Sequence, residues 1–224
     1  MKKYKLIGNA CDGCYRIRAL KSFKLITGEI IKKGDFGGYV SGKRNLSQEG
    51  NCWIEYYAKA YDNSMVKDNA VLKDHSCADG NSIISGNALL QAYQCIKYGT
   101  VTTDLLGTKD WIGALYAELG VVPKDNKVIL YKKVWSTGNE SVFKSIQDPN
   151  FLYKIGETAT EEKVDEDIFD ICTKGLHFTS LEFVNSYGGD TILECEVKVP
   201  DIVTVQDSKV RARKCKVLRV YKEE

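Results

Sequence analysis

Hydrophobic and polar positions between residues 46 and 93 repeat every six residues. In each six-residue unit (a hexad) the first residue is mostly small, the third is mostly apolar, and the fifth is Gly or Asp in six of eight hexads. The hexads read LSQEGN, CWIEYY, AKAYDN, SMVKDN, AVLKDH, SCADGN, SIISGN and ALLQAY. Residues two apart on an extended segment point to one side, whereas Gly, Asp and Asn favour turns. Each hexad therefore predicts a short strand and a turn, and three hexads predict one coil of a parallel β-solenoid.

The sixth hexad position supports three sides per coil, because its residue types repeat every 18 residues. Two columns hold asparagines and predict a ladder of amides at two corners, formed by Asn45, Asn63 and Asn81 and by Asn51, Asn69 and Asn87. The third column holds aromatic rings, Tyr39, Tyr57, His75 and Tyr93. A two-sided or four-sided coil would mix these columns, so the sequence predicts a three-sided prism.

The flanking segments predict the rest of the fold. Residues 40–93 leave room for three coils, and the open ends of such a stack need covers. Apolar spacing predicts a helix over Lys109–Leu119, with Thr108 as N-cap and Gly120 at its end. The fold class is thus mainly β, a short three-sided parallel solenoid of left-handed type with an N-terminal β cap, plus a C-terminal α+β domain. The predicted boundaries are 1–39 for the cap, 40–100 for the solenoid, 101–126 for the helix and connector, and 127–224 for the α+β domain.

Several motifs resemble phage and prophage proteins of the polymer-forming, hexad-repeat β-solenoid type. The N-terminal motifs are Tyr15-Arg16-Ile17-Arg18-Ala19-Leu20, Gly34-Asp35-Phe36-Gly37-Gly38-Tyr39-Val40 and Asn45-Leu46-Ser47. The C-terminal part is similar to a domain of unknown function in such phage proteins through Tyr153–Glu157, Gly175–Phe178, Leu193–Val197, Asp201–Val203 and Arg211–Cys215. The resemblance implies an accessory protein of a phage or mobile element that acts on a host system, and it brings no catalytic residues.

Composition and charge limit the cellular compartment and the kinds of binding partner that we expect for this chain. Lys and Arg outnumber Asp and Glu by only 32 to 30, so whole-chain charge does not indicate nucleic acid. No apolar run is long enough to span a bilayer, and the first residues lack a secretory pattern, so we expect a protein of the host cytosol with no membrane association. Homo-oligomerisation stays open.

The eight cysteines are expected to be thiols, because a chain of this size can form a core without disulfides and cytosol is reducing. Cys11 and Cys14 have the CxxC spacing of zinc or redox sites. The alternative is a turn at Asp12-Gly13, favoured because no second ligand pair follows. The sequence predicts no metal and no cofactor.

Tyr57, His75 and Tyr93 could form an exposed ladder that binds a protein. The alternative, which the residues alone favour slightly, is that they pack against the N-terminal cap or the C-terminal domain. His75 could alternatively be a catalytic residue, as in hexad-repeat acyltransferases, where a histidine activates the acceptor. The corners of those enzymes differ from the Asp/Gly-Asn corners of this chain. Three aspartates beside the corners, Asp62, Asp68 and Asp74, are explained by turn preference without a cation.

An enzymatic alternative lies in the C-terminal domain. The order of His177, a short helix ending near Tyr187, and a strand carrying Glu194 and Glu196 is similar to that of ADP-ribosyltransferases. A glutamate would stabilise the cation-like transition state at the nicotinamide ribose. The competing interpretation is an ordinary strand whose glutamates face water.

Residues 208–224 carry seven basic and two acidic side chains, whereas residues 157–170 carry seven carboxylates. The basic strand could contact phosphates, or it could pair with the acidic segment of its own domain. Its charge could also protect an edge strand, and of these interpretations we do not expect nucleic-acid binding. The predicted function is therefore a non-enzymatic accessory protein that binds a host protein partner through the solenoid, as an inhibitor of a host defence system, with the ADP-ribosyltransferase as the alternative.

Overall fold

A computed structural model describes residues 2–8 and 13–222. The chain divides into two compact units, Met1–Gly120 and Val121–Glu224. The boundary falls inside the predicted connector, residues 101–126. No helix of the described residues has the length and apolar character needed to cross a membrane.

The first unit holds a β-solenoid of about four turns, which confirms the solenoid predicted from the hexads. Five strands precede or open it: β1 (Tyr4–Ile7), β2 (Tyr15–Ala19), β3 (Phe23–Lys24), β4 (Ile30–Ile31) and β5 (Phe36–Val40). Nine two-residue strands follow: β6 (Trp53–Ile54), β7 (Lys59–Ala60), β8 (Met65–Val66), β9 (Val71–Leu72), β10 (Cys77–Ala78), β11 (Ile83–Ile84), β12 (Leu89–Leu90), β13 (Cys95–Ile96) and β14 (Thr100–Val101).

These strands form three parallel sheets, one for each side of the coil. The sheets are β5-β7-β10-β13, β8-β11-β14 and β6-β9-β12. Paired residues are mostly 18 apart, as for Cys77 and Cys95 or Trp53 and Val71. Because each third hexad position points inward, the residues Ile54, Ala60, Val66, Leu72, Ala78, Ile84 and Leu90 are fully buried. The 18-residue period and the three sides are thus both present.

The first coil corrects two columns of the prediction. Tyr39 pairs with Lys59 and Leu46 pairs with Val66, so the register there is 20 residues rather than 18. Tyr39 therefore does not share the column of Tyr57, and Asn45 does not share the column of Asn63. The cause is two extra residues between Leu46 and Ile54. The side-chain amide of Asn45 is instead buried, donating to three backbone carbonyls in the next coil, those of Tyr61, Asp62 and Ser64.

The corners follow the predicted turn chemistry. Residues at the fifth hexad position adopt positive φ in seven of the eight hexads, including Asp62, Asp68 and Asp74 at 46°, 59° and 55°. The carboxylate of Asp68 accepts a hydrogen bond from the Gly86 backbone N–H in the next coil at 3.0 Å. The amide ladder is present as Asn63 donating to Asn81 (3.0 Å) and Asn69 donating to Asn87 (3.2 Å). Asn51 is exposed and shares the Asn69 register through the Trp53–Val71 pair.

A disulfide joins Cys77 to Cys95, so the expectation that all cysteines are thiols is wrong for this pair. Parallel in-register pairing of β10 and β13 brings their Cα atoms to 4.5 Å, within bridging distance. Cys14, Cys52, Cys195 and Cys215 are buried thiols and Cys172 is an exposed one. Cys11, and with it the CxxC pair, lies outside the described residues.

The N-terminal strands continue the first face of the solenoid, since β1, β2 and β5 pair antiparallel and β5 pairs parallel with β7. Lys3, which immediately precedes β1, is fully buried, and its ammonium donates to the carbonyl of Cys52 at 2.9 Å. The phenol of Tyr4 donates to the carbonyl of Leu46 at 2.5 Å. The N-terminal segment is therefore anchored to the coils by buried hydrogen bonds.

Helix α1 (Trp111–Leu119) lies at the other end of the solenoid. It begins two residues later than predicted, because Asp110 rather than Thr108 is the N-cap and accepts from the Gly113 N–H at 2.9 Å. Gly120 ends it in the left-handed conformation, as predicted. The carbonyl of Ala117 accepts hydrogen bonds from the backbone N–H groups of Lys97 and Tyr98, so the helix contacts the last coil.

The second unit is built from strands. They are β15 (Lys127–Ser136), β16 (Val142–Lys144), β17 (Leu152–Lys154), β18 (Thr158–Thr160), β19 (Leu176–Phe178), β20 (Thr191–Lys198), β21 (Ile202–Gln206), β22 (Lys209–Ala212) and β23 (Lys214–Val220). They form a six-stranded sheet, β17-β16-β15-β20-β23-β18, and a three-stranded sheet, β19-β22-β21. The helical half of the expected α+β domain is not confirmed, because the described part of this unit has only short 3₁₀ helices, such as Val184–Ser186.

Candidate functional site

An exposed stack of three rings runs across neighbouring coils of the solenoid. Tyr57 and His75 have ring centroids 5.2 Å apart with planes 12° apart, and His75 and Tyr93 have centroids 5.2 Å apart with planes 6° apart. In-register coils place the same hexad position one above the other, which is why the rings stack. Tyr57 and Tyr93 are 56% and 43% exposed, and His75 is exposed as well. Three members of the predicted column, Tyr57, His75 and Tyr93, thus form a solvent-facing aromatic ladder.

The ladder continues into a longer surface that sequence reasoning missed. Tyr56 meets Tyr57 edge to face at 4.8 Å, and the Arg16 guanidinium lies 4.6 Å from the Tyr56 ring centroid and 4.8 Å from that of Phe36. Phe36 and Tyr56 are 46% and 54% exposed. We call the set Phe36, Arg16, Tyr56, Tyr57, His75 and Tyr93 the aromatic strip. Its first members were missed because only the strand pairing of β2 with β5 brings Arg16 beside these rings.

The geometry of the aromatic strip limits what it can bind. The two faces of His75 are covered by Tyr57 and Tyr93, and the guanidinium of Arg16 lies over Tyr56 and Phe36. The ladder therefore presents mainly ring edges and polar tips. Sugars and nucleobases stack on ring faces, so this arrangement disfavours both. Tyrosine and arginine side chains with apolar bodies and polar tips are instead enriched at the centres of protein–protein interfaces.

His75 is held within this ring stack, between Tyr57 and Tyr93. The carboxylate of Asp74 is engaged as an acceptor of the Ala92 backbone N–H at 2.9 Å. Asp68 is engaged in the same way, which agrees with the turn interpretation of the corner aspartates. Among residues 2–8 and 13–222, no group of three or more His, Cys, Asp or Glu side chains is arranged to hold a metal ion.

The residues of the enzymatic alternative are split between two places in the second unit. His177 and Tyr187 line a cavity, whereas Glu194 and Glu196 do not. Glu194 forms an ion pair with Arg219 at 2.9 Å, and Glu196 forms one with Lys127 at 3.1 Å. Strand alternation turns these glutamates away from the buried residues of β20, which are Leu193, Cys195 and Val197. The four residues are therefore not brought together as a catalytic set.

The basic C-terminal strands contact the acidic segment of their own unit, which is one of the interpretations left open by the sequence. The guanidinium of Arg213 forms a bidentate hydrogen-bonded ion pair with the Glu166 carboxylate. Arg211 is 1% exposed and donates to the carbonyl of Asp167. Such pairing engages Arg211 and Arg213, two of the seven basic residues of this segment.

No family model matches the chain, and no curated protein is similar enough to count as a match.

Proposed function

We propose that this chain is a non-enzymatic accessory protein of a phage or mobile element that binds a host protein in the bacterial cytosol. The aromatic strip is the binding surface, and inhibition of a host defence system is the biological consequence. The single observation that carries the proposal is the exposed, regular stack of Tyr57, His75 and Tyr93 on a rigid scaffold.

Rigidity supports this role. The rings are presented by coils whose backbone N–H groups bond to the next coil, as His75 N–H does to the Ala92 carbonyl at 3.0 Å. A partner therefore binds without having to order a loop, which lowers the entropic cost of association. Tyrosine side chains, which have two rotatable torsions, add contact area at small further cost.

The ring edges and polar tips that the aromatic strip presents indicate the chemistry of the partner surface. It is a protein surface with an apolar groove that accepts ring edges, and with backbone carbonyls or carboxylates that accept hydrogen bonds from the tyrosine hydroxyls. The Arg16 guanidinium at one end favours an acidic group at the matching end of the groove.

We also propose the handedness and the N-terminal cap that the resemblance implies. The coils wind in the left-handed sense, and β1 to β5 cap the first coil against strand addition from other chains. The buried contacts of Lys3 and Tyr4 support the capping role.

The test starts with capture of a partner from bacterial host extract, its identification by mass spectrometry, and its purification. Binding of the purified partner is then measured for the wild type and for the triple variant Tyr57→Ala, His75→Ala, Tyr93→Ala. We expect the dissociation constant to rise at least 100-fold, since central aromatic anchors are worth about 2 kcal/mol or more each. The matched control is Tyr116→Ala, because Tyr116 is 47% exposed on α1 and outside the strip.

Unchanged affinity of the triple variant, with an intact solenoid by circular dichroism, would refute the proposal. Light scattering on the same samples separates self-association from partner binding. A strip that mediates only self-association would also overturn the role in host binding.

A further inference from the structure

The second unit contains a cavity that the proposed binding function does not use. Its volume is about 550 Å³, within the range of about 300–1,000 Å³ that small-molecule sites occupy. Its walls come from β15, β17 and β19 and from the loops that precede β17 and follow β18. All lining residues belong to this unit, so the cavity is complete without the solenoid.

The cavity is rich in ammonium groups. Lys132, Lys133, Lys174 and Lys209 line it. Of these only Lys174 has an ion-pair partner among the described residues, Glu161 at 3.6 Å. The other carboxylate in the wall, that of Asp148, accepts the Asn150 backbone N–H at 2.9 Å. The cavity therefore presents cations without matching anions.

Lys132 is the most enclosed of these cations. Its Nζ donates to the His177 carbonyl at 3.0 Å and lies 5.1 Å and 5.6 Å from the ring centroids of Tyr153 and Phe178. Burial lowers the pKa of Lys132 to about 8. Burial, and then the charges of Lys132, Arg211 and Lys209, lower the pKa of His177 to about 4. The His177 shift reports nearby positive charge as well as burial, whereas the Lys132 shift reports burial alone. A bound anion would stabilise the charged form of either group.

Aromatic rings supply the rest of the lining. Tyr131, Phe151, Tyr153, Phe178 and Tyr187 contribute to the walls. Lys209 Nζ lies 5.8 Å from the centroid of the Tyr187 ring, so a cation and a half-exposed ring sit side by side. Rings with adjacent ammonium groups are the combination that recognises a planar base carrying phosphate.

We propose that this cavity binds a nucleotide, with Lys132 and Lys209 contacting phosphate oxygens and Tyr187 contacting the base. The lysines are point charges suited to phosphate, and the volume accommodates a mononucleotide diphosphate. The site is independent of the aromatic strip, so it stands or falls separately from the proposed host-protein binding.

The test is calorimetric titration of the full chain with ADP, UDP, adenosine and inorganic phosphate. We expect at least one of the two diphosphates to bind at micromolar concentration, and to bind at least tenfold more tightly than adenosine or phosphate alone. Lys132→Met and Lys209→Met should each weaken that binding at least tenfold. Lys216→Met, on an exposed residue outside the cavity, should leave it unchanged.

A second readout keeps the result clear if Lys132→Met unfolds. Cys172 is an exposed thiol in the cavity wall, 3.5 Å from Lys209 Nζ. The nucleotide should slow its alkylation at least fivefold in the wild type, as followed by mass spectrometry of the Cys172 peptide. Absence of binding by both ADP and UDP up to 1 mM would overturn the proposal. So would binding that Lys209→Met does not weaken and that leaves the rate of Cys172 alkylation unchanged.

Discussion

The side-chain amide of Asn63 donates a hydrogen bond to the side-chain oxygen of Asn81, 18 residues further on, with 3.0 Å between Nδ2 and Oδ1. The relationship joins two corners of neighbouring coils on the solvent side. Asn45, which the sequence places in the same column, is instead buried and bonded inside the first corner. The two kinds of asparagine should therefore contribute very differently to stability.

We expect Asn45→Ala to lower the free energy of unfolding of the first unit by about 3 kcal/mol, because it leaves buried backbone groups without partners. The oxygen of Asn45 accepts from the Gly42 N–H at 2.8 Å, and its amide donates to the Ser64 carbonyl at 2.9 Å. Asn81→Ala removes one exposed hydrogen bond and should cost about 0.5–1 kcal/mol. Urea unfolding followed by circular dichroism measures both, and equal losses would contradict the buried assignment of Asn45.

Gly50 occupies a corner where no side chain fits. Its φ is +63°, and a Cβ there would lie 2.1 Å from the Asp68 carbonyl oxygen. Gly50→Ala should therefore destabilise the solenoid by more than about 2 kcal/mol. The matched control is Gly28→Ala, at φ +91° with open space around it, which isolates backbone strain from the clash and should cost about 1 kcal/mol. Similar thermal shifts for the two variants would argue against the tight stacking of these coils.

The Cys77–Cys95 disulfide closes a segment of 18 residues between adjacent coils. Loop-closure entropy predicts that reducing it lowers the free energy of unfolding by about 3 kcal/mol. Unfolding with and without dithiothreitol measures this, and the double variant Cys77→Ser, Cys95→Ser should show no effect of reductant. A wild type that is equally stable in both conditions would mean that the bridge is absent or energetically neutral. In a reducing cytosol the thiol form would prevail, and the coils would then depend on their sheets alone.

Glu55 makes the stability of the first unit depend on pH. Burial, and then the neighbouring charges of Glu29 and Asp74, raise its pKa from an ordinary 4.5 to about 7. Because the folded-state pKa exceeds the unfolded value, stability is lost as pH rises from about 4.5 to about 7. We expect Glu55→Gln to stabilise the unit at pH 8 by up to about 1 kcal/mol, since partial exposure weakens the effect, and to change little at pH 4.5. An equal gain at both pH values would contradict a shifted titration.

The hexad pattern predicted the solenoid because one physical constraint acts on every coil. Small residues, inward apolar residues and positive-φ corners recur at fixed spacing, so each hexad repeats the same structure, as at Asp68 and Asp74. The first coil departs from this regular spacing. Two extra residues between Leu46 and Ile54 shift the register, and the six-residue period of the sequence continues across this insertion without a break.

The candidate sites were less predictable because they depend on contacts between distant segments. The position of His75 in a ring stack follows from the period, but the contact of Arg16 with Tyr56 needs the pairing of β2 and β5. The motif around His177 lies in a cavity wall. The sequence could not show that Glu194 forms an ion pair with Arg219 and does not line this cavity, since that contact depends on the pairing of β20 with β23.

The most direct measurement of the central proposal is site-specific photocrosslinking in bacterial host extract. A benzoylphenylalanine is placed at position 75, in the aromatic strip, and in a separate protein at position 116, on α1. Binding through the strip predicts one dominant crosslinked host protein from position 75 and none from position 116. The same partner crosslinked from position 116 but not from position 75 would contradict it.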